Sequence, residues 1–183
     1  LTLYFYGQFG NDSGEQMYVK LTDGDEVNDF NSVDNFDSYG SISALRAVWK
    51  DWWTQPEPKT SAEVSVGTAP YPLRSGQSMI YQYGNKTYPP YYSEANATIG
   101  TGAGKLNIDP NWLGMLDGTL SVWFYGQPGN DANEQMYIKL VDGGSPAQTT
   151  TVFYRDYGDM NDVKEERWHV WNINIADFIF TNW

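Results

Sequence analysis

Residues 1–24, LTLYFYGQFGNDSGEQMYVKLTDG, open with Leu1, Leu3 and Phe5 alternating with Thr2, Tyr4 and Tyr6. A period of two is the mark of a strand with one apolar face. After a turn-forming tract, Gly10-Asn11-Asp12, the alternation resumes with Met17, Val19 and Leu21. The segment recurs at 120–143 as LSVWFYGQPGNDANEQMYIKLVDG, offset by 119 residues with two-thirds of its positions identical. Each copy reads as a hairpin-like pair of strands. The apolar positions change conservatively between copies, Leu3 against Val122 and Val19 against Ile138, as volume-limited packing requires.

Further strand-like runs fall at 62–66, 78–83, 91–99, 149–155 and 168–175, separated by turn clusters at the spacing of an all-β fold. One short helix is expected over 43–52, where Leu45, Val48, Trp49 and Trp52 recur at i, i+3, i+4 and i+7. Pro56, Pro58, Pro70 and Pro72 bound a loop-rich crossing after it, and none interrupts an alternating run. The expectation is an all-β chain, an antiparallel, jelly-roll-like β-sandwich with one short helix. The sequence begins in one strand and stops soon after another, and reading from Trp183 into Leu1 gives a continuous turn-then-strand pattern. A processed subunit, or one repeat of a longer array, is expected to look like this. Residues 1–33 are therefore read as a linking segment that completes an adjacent unit, with Leu1, Leu3, Phe5, Met17, Val19 and Leu21 as its assembly positions. Residues 34–183 are read as the main module.

Composition narrows the function classes. A formal charge of −12 and a sequence pI near 4.2 repel a phosphate backbone, so no nucleic-acid partner is expected. Cysteine is absent, so stability must come from packing or assembly. No apolar run approaches the roughly 20 residues that cross a bilayer as a helix, and membrane insertion is not expected. High Tyr, Trp, Gly and Asn content points to an extracellular or cell-surface protein.

Catalytic constellations are missing. The sole histidine, His169, shares strand parity with Trp171, Ile173 and Ile175, which places it in or beside the core. Glu15 and Glu134 form the one tempting carboxylate pair, but each opens a repeated strand. The chain is read as a non-enzyme. Acidic residues crowd 23–37, and Asp29, Asp34 and Asp37 supply hard oxygen ligands suited to a structural Ca²⁺, without the spacing of an EF-hand. A weaker second cluster comprises Asp156, Asp159 and Asp162. Opposite the apolar positions of the repeat stand Tyr4, Tyr6 and Tyr18, matched by Trp123, Tyr125 and Tyr137. Such a row of rings suits either sugar stacking or an interface. Sequons at Asn11, Asn85 and Asn96 mark glycan acceptors in a secretory setting, with the strand parity of Asn96 pointing outward.

Several short motifs fall in one order: Asn35-Phe36-Asp37-Ser38-Tyr39, Val48-Trp49-Lys50-Asp51-Trp52-Trp53, Gly76-Gln77-Ser78-Met79, Tyr92-Ser93-Glu94-Ala95, Val122-Trp123-Phe124-Tyr125-Gly126 and Trp171-Asn172-Ile173. Over about residues 34–183 that order resembles the tandem lectin-like or carbohydrate-binding-module-like β-sandwich repeats of large secreted surface proteins of environmental bacteria such as planctomycetes. The resemblance implies a structural Ca²⁺ near the start of the module. It also implies closing strands, one ending in Gly-Phe-Gly and one bearing acidic residues, that this chain lacks and that residues 1–24 of a neighbour would replace. The expected function is a structural subunit or repeat of an extracellular filament or surface fibre, assembled head to tail with its own kind by β-strand complementation. The alternative is a carbohydrate-binding module of a larger secreted protein or adhesin, with glycans as partners.

Overall fold

The computed structural model describes residues 2–7, 15–23, 33–51, 63–67, 76–83, 93–108, 118–133 and 136–178, the first two stretches as backbone. Among the described residues nine strands and one α-helix follow in order: β1 (Thr2–Gly7), β2 (Glu15–Asp23), α1 (Ile42–Val48), β3 (Glu63–Gly67), β4 (Ser78–Tyr83), β5 (Ser93–Thr98), β6 (Thr119–Tyr125), β7 (Tyr137–Val141), β8 (Thr149–Phe153) and β9 (Trp168–Asn174). They form a four-stranded sheet in the order β5-β1-β7-β8 and a five-stranded sheet in the order β3-β4-β2-β6-β9. Every strand pairing is antiparallel. The chain is thus all-β with one short helix.

The alternating pattern sets which residues face inward. In β9, His169, Trp171 and Ile173 are buried while Val170, Asn172 and Asn174 are exposed. In β6 and β7 the buried set includes Leu120, Val122, Phe124, Ile138 and Leu140. One apolar cluster gathers residues from both sheets, among them Ala95, Ala97, Ile138 and Leu140 from one and Val64, Met79, Phe124 and Trp171 from the other.

The repeated segment is not a pair of hairpins. β1 lies in the four-stranded sheet and β2 in the five-stranded one, while β6 and β7 cross in the opposite sense. Alternation specifies which face is buried, not which partner is paired. Seven residues separate β1 from β2 and eleven separate β6 from β7, more than the two to five of a usual hairpin loop. The two copies instead pair with each other. β1 runs beside β7 with Thr2 opposite Val141 and Tyr6 opposite Tyr137. β2 runs beside β6 with Thr22 opposite Ser121 and Tyr18 opposite Tyr125. Through the 119-residue offset these are the same pairs with the copies exchanged, so the register obeys a local two-fold relation.

Both N-terminal strands are interior. β1 sits between β5 and β7, and β2 between β4 and β6. The segment 1–33, read as completing a neighbouring unit, supplies here one interior strand to each sheet of its own chain.

The helix begins where Ser41 Oγ accepts from the Ala44 N–H at 3.1 Å, a regular N-cap. It stops at Val48, short of the expected residue 52, because Trp49 turns extended and Lys50 joins the backbone of Asn96 in a bridge. Lys50 Nζ closes the end by donating to the Arg46 and Ala47 carbonyls. Arg46 ties the helix to β3, donating to Glu63 Oε1 at 2.7 Å and to the Val64 carbonyl, and lies 3.1 Å from the fully buried Asp51. The expected strand 149–155 ends at 153, where a 3₁₀ turn at Tyr154–Asp156 begins. Likewise β9 gives way to a 3₁₀ turn at Ile175–Phe178. Among the described residues no helix is long and apolar enough to cross a membrane.

Leu140 is fully buried in β7, beside the inserted β1. Leu140→Ala is expected to lower the unfolding free energy by about 2–5 kcal/mol in a urea titration. The half-exposed helix residue Ile42 provides the control, with Ile42→Ala staying within about 0.5 kcal/mol.

Candidate functional site

The seam around β1 and β2 brings together most of the positions that the pattern singled out for assembly. Leu3 stands in register with Ala97 and Leu140, Phe5 with Ala95 and Ile138, and all four partners are buried. In the other sheet Met17 is opposite Tyr81, Val19 is opposite both Met79 and Phe124, and Leu21 is opposite Val122. Leu1 lies outside the described residues. In register, these positions of β1 and β2 stand opposite core-forming residues of the neighbouring strands.

A charged strap crosses over β1. Glu94 of β5 accepts from Tyr137 Oη at 2.9 Å and from Lys139 Nζ at 2.8 Å, both on β7. Its side chain is only 9% exposed, so these charge-assisted contacts act where water screens them little. They hold β5 and β7 one strand apart, the width that β1 fills.

The six repeat aromatics do not form one row. Tyr4, Tyr6 and Tyr137 belong to the four-stranded sheet, and Tyr18, Trp123 and Tyr125 to the five-stranded one. The strands of each copy part company between the sheets, which divides the set. Tyr125 donates to the Glu166 carbonyl at 2.7 Å and meets the Trp168 ring edge-on at 5.7 Å. Tyr137 packs edge-on against Phe153 at 5.6 Å. Trp123 is half-buried and stands opposite Val170, which is 39% exposed.

Asp34 is a buried structural carboxylate. It accepts from Tyr39 Oη at 2.6 Å, Trp49 Nε1 at 2.8 Å and the Phe36 N–H at 2.8 Å. The last contact holds Phe36 at φ 62°, sparsely populated by bulky residues. Burial raises the Asp34 carboxyl above its ordinary range, outweighing the three hydrogen bonds that lower it. The Tyr39 hydroxyl is pushed upward too, by burial first and then by Asp34. Asp37 is exposed and accepts from the Gln77 N–H at 2.5 Å. Asp29 lies outside the described residues. An open cleft of about 320 Å³ adjoins Asp34, lined also by Val33, Tyr39, Lys105 and Ile108.

Of the sequons, Asn11 and Asn85 lie outside the described residues. Asn96 is 6% exposed, contrary to its expected outward parity. The bridge to Lys50 covers this edge of β5, which strand parity alone does not reveal.

A cluster that the pattern did not assemble surrounds His169. Its ring stacks on Phe124 with centroids 5.3 Å apart and planes 17° apart. Asp162 Oδ1 lies 3.5 Å from Nδ1, and Glu165 Oε2 lies 3.4 Å from Nε2. The 3₁₀ turn Met160–Lys164 presents Asp162, and it is capped by Asp159, which accepts from the Asn161 N–H. Gly126 lets this turn close in: a Cβ there would come within 2.5 Å of the Asp162 and Val163 carbonyls. Asn130 and the Gln127 N–H both donate to the Val163 carbonyl. Tyr154 Oη donates to Asp162 Oδ2 at 2.5 Å, and burial raises the Tyr154 hydroxyl above its ordinary value. Asp156 and Asp159, grouped with Asp162 on spacing, point to other partners: Asp156 is 3.8 Å from Arg155. The available signal was the only histidine standing at the end of an acidic stretch.

A scan against family models, a search of curated proteins and a search of solved structures each give no match. Function therefore has to be argued from the geometry of this chain.

Because Asp34 holds its proton more tightly folded than unfolded, its contribution to stability is fully present below the unfolded value of about 4 and is lost as pH rises through the raised folded value. The stability deficit of Asp34→Asn relative to the native chain is expected to shrink between pH 4 and pH 7 in denaturant titrations. A deficit that grows across that range contradicts this assignment.

Proposed function

We propose that this chain is a structural subunit or repeat of an extracellular fibre, joined head to tail by exchange of the β1–β2 segment between copies. Its two sheets pack as a jelly-roll-like sandwich in this reading. The observation that carries the proposal is the insertion of β1 and β2 as interior strands of both sheets. Take them away, and β5 is parted from β7 and β4 from β6. Each slot then presents two rows of unpaired backbone groups, a strong template for another strand. The strap from Glu94 to Tyr137 and Lys139 holds one slot at the right width. Donor and acceptor are different surfaces, so exchange between copies is heterologous and propagates. The likeness to secreted surface repeats fits the same reading, as does an extracellular setting.

The absence of cysteine makes a clean test. Phe5 and Ala95 are directly opposed, at a Cα separation that antiparallel pairs and disulfides share. The native chain, refolded at high concentration, is expected to give filaments in negative stain. The Phe5→Cys/Ala95→Cys variant should stay monomeric when oxidised and polymerise when reduced. Native chains that remain monomeric throughout, or oxidised variant that polymerises like the native chain, would overturn the proposal.

A second reading, a carbohydrate-binding module, is favoured by the patch of Trp123, Tyr125, Trp168 and Val170 on one face of the five-stranded sheet. Sugar C–H faces stack on such rings. Retention on a glycan column that Trp123→Ala weakens at least tenfold, from a chain that never polymerises, would favour it over the fibre.

A further inference from the structure

His169 is the strongest unexplained feature of the molecule. The residue is 9% exposed, and its Nε2 is a buried nitrogen without a hydrogen-bond partner. Both ring nitrogens face carboxylate oxygens at 3.4–3.5 Å. A neutral imidazole has one N–H and one lone pair. If Asp162 takes the N–H at Nδ1, the lone pair at Nε2 is left facing Glu165 Oε2. A lone pair beside a carboxylate oxygen is repelled by it, and a proton or a metal cation placed between the two removes that repulsion.

We propose that Asp162, Glu165 and His169 form a binding site for a divalent transition-metal ion of the Zn²⁺ class. His169 Nε2 and Glu165 coordinate the ion, and Asp162 holds Nδ1–H, as carboxylates do behind histidine ligands elsewhere. The spacing suits that class. Bonds of about 2.0–2.1 Å at tetrahedral angles put neighbouring ligand atoms roughly 3.3 Å apart, against 3.4 Å between Nε2 and Oε2. An imidazole nitrogen favours Zn²⁺ and its neighbours over Ca²⁺ or Mg²⁺, which prefer oxygen. One ligand atom from each of the three residues lies within 4.8 Å of the others. The ring is stacked on Phe124, and Asp162 accepts from Tyr154 Oη, so both groups have a neighbour that favours this placement. Entry is from the side of Glu165, whose side chain is 43% exposed. Arg167 is the competitor there, with Nε 2.5 Å from the same Oε2, but it is 68% exposed and pairs weakly in solvent.

The test uses the full chain, in which His169 gives the sole imidazole signals by NMR. Zn²⁺ added to one equivalent at about 100 µM protein is expected to shift them, and Ca²⁺ at millimolar concentration is not. Glu165→Gln should weaken the Zn²⁺ response at least tenfold. Arg167→Gln should strengthen it several-fold, an effect that a merely structural histidine would not show. Both substitutions are on the exposed rim and spare the core. Imidazole signals that respond to pH but not to Zn²⁺, or a response that survives Glu165→Gln unchanged, would overturn the proposal.

Discussion

An interior strand must be hydrogen-bonded along both edges, and in this chain that requirement falls on a segment far in sequence from its partners. β1 reaches across to β5 and β7, and β2 to β4 and β6. The rest of each sheet is built from strands that, without the insert, would leave facing rows of backbone groups unsatisfied, and buried peptide groups rarely go without partners. Pairings of such sequence separation form late, because loop closure must be achieved before contacts reward it. The two-fold relation in the register has a chemical basis: two near-identical segments run antiparallel present the same row of side chains to each other in either order. A duplicated strand pair is therefore self-complementary, and whatever pairs within one chain is chemically competent to pair between two.

The buried charges follow the same logic of spacing and neighbours. Glu94, Asp34 and Asp51 are all withdrawn from water, yet each has nearby donors: Tyr137 and Lys139; Tyr39, Trp49 and a backbone N–H; Arg46. None of these carboxylates is worth much as a simple ion pair once desolvation is counted. Their value is geometric. Glu94 spans one strand, Asp34 locks an aromatic turn with Phe36 in the left-handed region, and Asp51 with Arg46 keeps the helix against β3.

Much of this architecture was legible in the sequence because alternation reports burial directly. The runs at 78–83 and 168–175 became β4 and β9 almost residue for residue, and Leu45 and Trp49 are buried as the helical spacing required. Partnership was not legible. The repeat looked like two hairpins since period two carries no information about which strand lies alongside. For the same reason the six aromatics looked like one row, and Asn96 looked exposed until the Lys50 bridge covered it. The His169 cluster escaped because its carboxylates reach it through a 3₁₀ turn, whose side-chain directions have no simple period to read.

Where that cluster sits bears on the seam. Across the five-stranded sheet, Val66, Met79, Val19, Phe124 and His169 stand opposite one another in sequence, one from each strand. Val19 belongs to the inserted β2, and His169 ends the row two strands away. Phe124 is the link, opposite Val19 on one side and stacked on the imidazole on the other. On the proposed strand exchange, whatever restrains the imidazole would also restrain the Phe124 ring stacked on it, and with it the wall that an entering strand would meet. Strand complementation depends on such walls being in place before the strand arrives, since a slot that must rearrange spends binding free energy on ordering itself. A cation held at β9 and the neighbouring 3₁₀ turn, remote from the slot, would thus act on assembly through one aromatic ring rather than through any contact with the incoming strand.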